Sequence, residues 1–310
     1  MTVNVLFSAR PGLWPVYQPL LEQGLQEAGL DFHLATDIPP EKVDYVVYAP
    51  NGDLSDFTPF SRLKAVLSLW AGVEKIADNE TLTVPLSRMV DDGLTVGMTE
   101  WVVGHVLRYH LDMDENITQT DTSWNHDVPP RVEKRAVCIL GLGALGEAAA
   151  KALSALHFHA IGWSRTPKNI PGVTCLHGPD GLRDALSQAE IVVLLLPDTP
   201  ATQNILNAQT LALLPKGAKI INPGRGPLID DDALLDALNS GHVGHATLDV
   251  FRVEPLPADH PYWAHPNVTV TPHIASETRP RTAAQVICEN IRRGEAGAPF
   301  LHLVDRDLGY

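Results

Sequence analysis

Apolar and polar positions along the chain fall into two alternating regimes. Short, nearly continuous apolar runs, VNVLF, DFHLA, DYVVYA and AVLSLWAGV, are interleaved with stretches of helical spacing, the first from Pro15 to Ala28. Such alternation predicts an α/β unit, a parallel sheet with helices on both faces. The longer stretch MTEWVVGHVLRYHLDMDENITQ brings Trp101, Val102, His105, Val106 and Tyr109 near helical spacing, which predicts a helix linking this unit to a second one. After the loop TSWNHDVPPR the second series opens with RAVCIL and GLGALG and a helix from Glu147 to about Ala155. It continues through the strand-like runs AIGW, EIVVLLLP, AKIIN, HATLDV and VTVT. The final helical stretch, Arg281 to Arg293, is expected to return to the first unit and make it discontinuous. The pattern predicts two doubly wound parallel-sheet domains, one of residues 1–98 with 282–310 and one of residues 99–281.

Composition narrows the function classes. A chain of 310 residues is long enough for two domains of ordinary size. No apolar run approaches the roughly eighteen residues of a membrane span, so no membrane partner is expected. The start, MTVNVLFSARPG, lacks a basic segment followed by a long apolar one and reads as a first strand, which favours the cytoplasm. Cys138, Cys175 and Cys288 are widely separated and in no C-x-x-C pair, arguing against a disulfide framework or a thiolate metal site. The net charge of −14 disfavours a nucleic-acid partner.

Against that acidic background, one basic stretch stands out. CILGLGALGEAAAKAL places Gly141, Gly143 and Gly146 as G-x-G-x-x-G between an apolar strand and a helix. The first glycine permits a tight turn, the second lets the backbone approach a pyrophosphate, and the third lets helix pack on strand. Ala144 and Leu145 then open the helix whose N-terminus receives the phosphates. This is the signature of a Rossmann-type dinucleotide-binding domain. The next strand ends in Trp163, Ser164, Arg165 and Thr166, where an NAD site usually carries an acid for the ribose 2′-hydroxyl. Arg165 and Lys168, with Ser164 and Thr166 as hydroxyl donors, suit a 2′-phosphate, so NADPH is the expected cofactor and NADH the weaker alternative. The other reading of Arg165 and Lys168 is a solvated surface pair.

In a doubly wound sheet, ligands bind beyond the carboxyl ends of the strands. Those ends carry Leu196 and Pro197, then Pro223, Gly224 and Arg225, then Asp249 and Glu254, and last His273 and Ala275. Reduction of a 2-oxo acid by hydride transfer needs a cation for the carboxylate and carbonyl, a proton donor, and a group that keeps the donor charged. Arg225 suits the first role, His273 the second and Glu254 the third. One histidine among thirteen is more often structural than catalytic, and GRG alone is also a turn; three such groups at successive strand ends are harder to dismiss.

The glycine loop, NPGRGPLIDDDALLDAL, TLDVFRVEPLP and VTPHIAS together resemble the D-isomer-specific 2-hydroxyacid dehydrogenases. LWAGVEKI, GMTEWVV, WSRTPK, EPLPADHPYWAHPNVTVTPHIA and the ending VDRDLGY are most similar to the bacterial glyoxylate/hydroxypyruvate reductase A group of that family. The resemblance runs over essentially the whole chain. It implies a smaller, flavodoxin-like substrate domain beside the nucleotide-binding one, catalytic Arg225, Glu254 and His273, and His273 as the proton donor. It further implies that Ala71, Gly72 and Val73 offer backbone amides to the substrate carboxylate. Tyr48, Trp70 and Arg279 are candidate walls of the substrate site and Met98 of the cofactor site, and the apolar ones also read as core. Trp124 matches a position that reaches a neighbouring subunit, implying a homodimer. The expected reaction is NADPH-dependent reduction of glyoxylate to glycolate and of hydroxypyruvate to D-glycerate. Two departures stand out: Pro223 and Gly224 precede the arginine where relatives commonly have alanine, and Pro167 stands where a further basic residue occurs.

Competing readings fare worse. The histidine pairs of HFH (His157, His159) and GHVGH (His242, His245) lack the three or four converging ligands that a metal needs, so no metal is expected. A phosphoglycerate-type oxidation is disfavoured by the NADPH-like loop and the lack of an appended regulatory domain. A nucleotide-sensing protein resembling the family's corepressors remains the remote alternative of a different class.

Overall fold

The computed structural model describes residues 2–124 and 126–309; Met1, Asn125 and Tyr310, which belong to the stretches MTVNVLF, TSWNHDVPPR and VDRDLGY, lie outside the described residues. The chain divides into two compact units, Met1–Leu94 with Glu277–Tyr310, and Thr95–Ser276.

The first unit contains β1 (Val3–Ser8), α1 (Trp14–Glu27), β2 (Phe32–Ala35), β3 (Tyr45–Tyr48), β4 (Ala65–Ser68), α2 (Glu74–Ala77) and β5 (Leu86–Ser87). It is completed near the end of the chain by α9 (Pro280–Glu295). Its five strands are parallel and ordered β2-β1-β3-β4-β5, the flavodoxin-like order. One face packs Val3, Val5, Phe7 and Tyr45 under α1 and α9. The other packs Leu6, Val46, Tyr48 and Val66 under α2. Because side chains alternate across a strand, the continuous apolar runs supply both faces at once. After α9 the chain returns to the edge of this sheet: Leu303 bridges Ser87, and buried Asn290 accepts from the Leu301 N–H at 2.7 Å.

The helix α3 (Asp92–His110) contains the boundary between the units. The second unit follows with α4 (Met113–Ile117), β6 (Ala136–Leu140), α5 (Ala144–Ala155), β7 (His159–Ser164), β8 (Thr174–His177), α6 (Gly178–Gln188) and β9 (Ile191–Leu194). It ends with α7 (Ala208–Leu211), β10 (Ala218–Asn222), α8 (Asp231–Asn239), β11 (Val243–Leu248) and β12 (Val268–Val270). The seven strands are all parallel, in the order β12-β11-β10-β9-β6-β7-β8. The order reverses between β6 and β9, the switch point at which dinucleotides bind in such sheets. Met98, Val102 and Val106 of α3 and Ala149 and Leu153 of α5 cover one face, while α6 and α8 cover the other.

Two details depart from the sequence pattern. The stretch expected as one helix to Gln119 stops at His110, and Asp112 takes a left-handed conformation (φ 48°) before α4 begins. A short polar side chain tolerates that conformation, and the residues of α4 find no core to cover, with Met113 and Ile117 exposed. The edge strand β8 escapes an apolar-run reading because TCLH has a single aliphatic residue. Among the described residues, no helix is long and apolar enough to cross a membrane.

Candidate active site

The candidate groups of the second unit stand in the loops beyond the carboxyl ends of its strands. At the end of β6, Gly141 adopts φ +106°, and a Cβ there would lie 2.5 Å from the Leu195 carbonyl oxygen. Only glycine allows this turn to press against the strand next door. A Cβ on Gly146 would lie 1.8 Å from the Gly141 oxygen, so α5 reaches the sheet at a distance that no side chain permits. Gly143, by contrast, faces open space and caps α5 with no side-chain bond to the first-turn N–H groups. An uncapped helix N-terminus with its approach cleared of side chains fits a pyrophosphate. Ala144 and Leu145 are the residues whose N–H groups open that turn.

At the end of β7, Trp163 and Ser164 are buried and engaged within the protein: the indole N–H donates to the Gly178 oxygen at 2.8 Å, and the Ser164 hydroxyl to the Thr166 oxygen at 2.8 Å. Arg165, Thr166 and Lys168 are exposed, and residues 163–168 contain no carboxylate.

The strands β10, β11 and β12 lie side by side, and their ends are tied together. Asn222, 1% exposed, accepts from Gly224 N–H (3.1 Å) and donates to the Arg225 oxygen (2.9 Å), which shapes the NPGRG turn. Arg225 is half-buried, and its guanidinium donates to the Gly224 oxygen at 2.7 Å. A Cβ on the next residue, Gly226, would come within 2.0 Å of Phe251 carbonyl carbon and 2.4 Å of Arg252 nitrogen. The Arg225 turn and the DVFRVEP loop therefore touch backbone to backbone. In that second loop, Glu254 accepts from Phe251 N–H at 2.9 Å with Oε1 and meets His273 Nδ1 at 2.7 Å with Oε2. His273 itself is left-handed, at φ 54°.

Asp249 explains how a non-glycine residue is held there. Its carboxylate is 1% exposed and accepts from Thr271 hydroxyl (2.6 Å), Ile274 N–H (2.9 Å) and Ala275 N–H (2.9 Å). Its carbonyl accepts from His273 N–H at 2.9 Å. Asp249, one of the strand-end candidates for the cofactor site, organises the His273 loop. Asn222, Thr271 and Gly226 escaped the sequence reading; a polar residue closing an otherwise apolar strand was the available signal.

Other candidates are spread through the structure. Met98 and Ala275 are buried beside the same sheet face, while Leu196 packs from its edge against the opposite core and the Pro197 oxygen accepts from Thr202 hydroxyl at 2.6 Å. Pro223 and Gly224 are buried. In the first unit, Tyr48 is a core residue whose ring meets that of Phe57 at a tilt, centroids 6.0 Å apart, and burial raises its hydroxyl pKa. Trp70 is partly exposed, its N–H and carbonyl both bonded to Ser68 hydroxyl at 3.0 Å, which sets the turn into Ala71, Gly72 and Val73. Arg279 precedes α9, its stem lying over Gly93. Of the histidine pairs, His242 meets the Leu211 oxygen, and His245 Nδ1 lies 2.8 Å from Tyr109 hydroxyl. Burial, with Arg108 nearby, lowers the His245 pKa to about 4. Among the described residues, no group of three or more His, Cys, Asp and Glu is arranged to hold a metal ion.

The chain is similar to known proteins over most of its length. Residues 102–275 match the family model described as D-isomer specific 2-hydroxyacid dehydrogenase, NAD binding domain. The chain is 43% identical over 256 residues to glyoxylate/hydroxypyruvate reductase A of Yersinia enterocolitica, which covers 80% of this chain and 82% of that one. The same-named protein of Serratia proteamaculans is 42% identical over 257 residues, with the same coverage. Among solved structures, a D-isomer specific 2-hydroxyacid dehydrogenase of Xanthobacter autotrophicus Py2, in complex with NADPH and MES, superposes with a TM-score of 0.91 at 42% identity over the whole of both chains. The NADPH-dependent glyoxylate/hydroxypyruvate reductase of Sinorhizobium meliloti, in complex with NADP and sulfate, superposes with a TM-score of 0.85 at 33% identity, again over the whole of both. A family-model match over more than half the chain, joined to these identities and a shared fold, makes this protein an oxidoreductase of the D-isomer-specific 2-hydroxyacid dehydrogenase family.

Proposed function

We propose that the protein reduces small 2-oxo acids with NADPH, glyoxylate to glycolate and hydroxypyruvate to D-glycerate foremost. The observation that carries the reading is the Glu254–His273 pair, held at 2.7 Å at strand ends that adjoin the Arg225 turn. Relatives bearing the reductase name and the NADPH-bound neighbour support the substrate class and the cofactor.

The reaction consumes one 2-oxo acid, one NADPH and one proton, and yields the 2-hydroxy acid and NADP⁺. The cofactor, when bound, supplies the hydride; the protein supplies charge and the proton. Arg225 binds the carboxylate and polarises the carbonyl, since its guanidinium is permanently charged and forked. Glu254 occupies Nδ1 of His273, leaving Nε2 as the nitrogen that holds a proton and releases it to the developing alkoxide. Gly141, Gly143, Ala144, Leu145 and Gly146 would hold the pyrophosphate, and Arg165 with Lys168 the 2′-phosphate, with Thr166 beside them. Ala71, Gly72 and Val73 of the first unit would offer main-chain N–H groups to the substrate carboxylate. On this reading the unit of residues 95–276 takes the dinucleotide, and the other recognises the acid.

The test is the initial rate of NADPH and NADH oxidation with glyoxylate, hydroxypyruvate, pyruvate and phenylpyruvate. Fast NADPH turnover on the first two is expected, and its collapse in Arg225→Ala with an unchanged melting curve. A near-wild-type rate in that variant would overturn the assignment. We also propose a homodimer, supported by exposed Leu111, Met113, Ile117, Trp124 and Val128 within one short stretch; a monomer in light scattering would refute it.

A further inference from the structure

We infer that Arg252 is a positioning residue for the Glu254–His273 pair, a cross-tie that fixes the Glu254 loop to the segment following Arg225; this rests on the reductase reading above. Arg252 projects from the DVFRVEP loop, and its guanidinium faces four separate acceptors on the far side of the contact. Its Nε lies 3.3 Å from Asp231 Oδ2 at the start of α8. Its Nη2 donates to the Asn204 side-chain oxygen and the Ile229 carbonyl, and stands 3.5 Å from the Pro227 carbonyl.

These acceptors are themselves held. Asp231 Oδ1 takes the hydroxyl of Tyr262 at 2.8 Å, and Tyr262 is 2% exposed, so the carboxylate is anchored to the core. Asn204 N–H donates to the Pro227 oxygen at 2.8 Å, joining the loop after β9 to the turn after Arg225. Arg252 therefore grips a fixed body. A planar fork of donors can span a carboxylate and two further oxygens, whereas a lysine ammonium, a single point charge, cannot.

On its own side of the contact the path to the reacting group is short. Phe251 N–H holds Glu254 Oε1, and Glu254 Oε2 holds His273 Nδ1. The Glu254 and His273 side chains are 35% and 52% exposed, so packing alone does not lock them. Their orientation is set by hydrogen bonds and by where the loop is pinned. The two pins are the close backbone contact at Gly226 and the Arg252 fork.

The test is a double-mutant cycle on kcat for 2-oxo acid reduction, using Arg252→Ala and Glu254→Gln in the full-length protein with saturating NADPH. A residue that acts through Glu254 matters only while Glu254 can act. Arg252→Ala is expected to lower kcat about tenfold in the wild-type background and less than twofold in the Glu254→Gln background, with KM for the acid little changed. Equal fold-losses in both backgrounds, or no loss in the first, would overturn the inference. Arg252→Lys, which keeps the charge facing Asp231, serves the same cycle if the alanine variant does not fold. A wild-type protein without turnover on any of the four acids refutes the reductase reading itself, a result distinct from an active enzyme whose losses are equal.

Discussion

The contact between Gly226 and the DVFRVEP loop offers a severe test of how the catalytic groups are held. An alanine methyl at position 226 would lie 2.0 Å from the carbonyl carbon of Phe251 and 2.4 Å from both Phe251 oxygen and Arg252 nitrogen. Ordinary contact begins at 3.4 Å, so the two backbones must part by about 1.4 Å. Neither side has a flexible end to move aside, because all three atoms are main chain. Overpacking of this kind costs about 1–3 kcal/mol of stability. A displacement near 1 Å of a catalytic group costs about a hundredfold in rate. The expected outcome for Gly226→Ala is thus a folded protein, its melting temperature lowered by a few degrees and kcat/KM for hydroxypyruvate reduced about a hundredfold. NADPH affinity, read by quenching of protein fluorescence, should change less, since the glycine loop follows β6, on the other side of β9 from the altered turn. The assay is stopped-flow or steady-state NADPH oxidation beside differential scanning fluorimetry. A variant with wild-type kcat/KM would refute the claim that this contact positions the Arg225 turn and the Glu254 loop.

Other outcomes follow from the same geometry. Asp249→Ala strands one buried and one part-buried N–H group and releases a left-handed His273, so stability should fall by about 2 kcal/mol in urea titration, with loss of activity; a neutral substitution would refute its role as loop organiser. Because the His245 pKa is lowered to about 4 by burial, the folded state binds fewer protons than the unfolded one between that pH and the ordinary 6.5. Stability is therefore full above pH 6.5 and drains away as pH falls towards 4. The full shift corresponds to about 3 kcal/mol, and partial solvent access reduces it to about 1–2 kcal/mol; His245→Gln should flatten that part of the pH–stability curve, and an unchanged slope would contradict it. Arg165→Ala should weaken NADPH binding tenfold or more, as expected for loss of one charge-assisted bond of about 1.5–3 kcal/mol, and NADH binding less than twofold; equal effects would sink the 2′-phosphate assignment.

Much of the architecture was legible in one dimension because its causes are local. Apolar runs such as AVCIL and IVVL are buried on both faces of a parallel sheet, and that burial writes itself into consecutive residues. Glycines at 141, 143 and 146 announced a strand-to-helix turn by their spacing: Gly141 takes a positive φ and Gly146 clears the Gly141 oxygen five residues before it, whereas the Leu195 oxygen that also bars a side chain at 141 comes from far along the chain. The strand ends could likewise be inspected for chemistry once the strands were found, which is how Arg225, Glu254 and His273 came to be singled out. What periodicity does not carry is contact between residues far apart in sequence. That the Asp249 carboxylate is spent on the His273 loop, 22 to 26 residues later, follows from the pairing of β11 with β12. That Gly226 needs to be glycine is set by Phe251 and Arg252, on a loop brought alongside by the pairing of β10 with β11. Arg252 carries no signal of its own in the sequence; its acceptors, drawn from residues 204 to 231, are gathered around it only by the fold. Sequence by itself determined most of the elements, β8 and the end of α3 apart, because hydrogen-bonding period and side-chain burial are local; only the tertiary structure decided which polar groups at the strand ends meet, because their geometry is set by strand order.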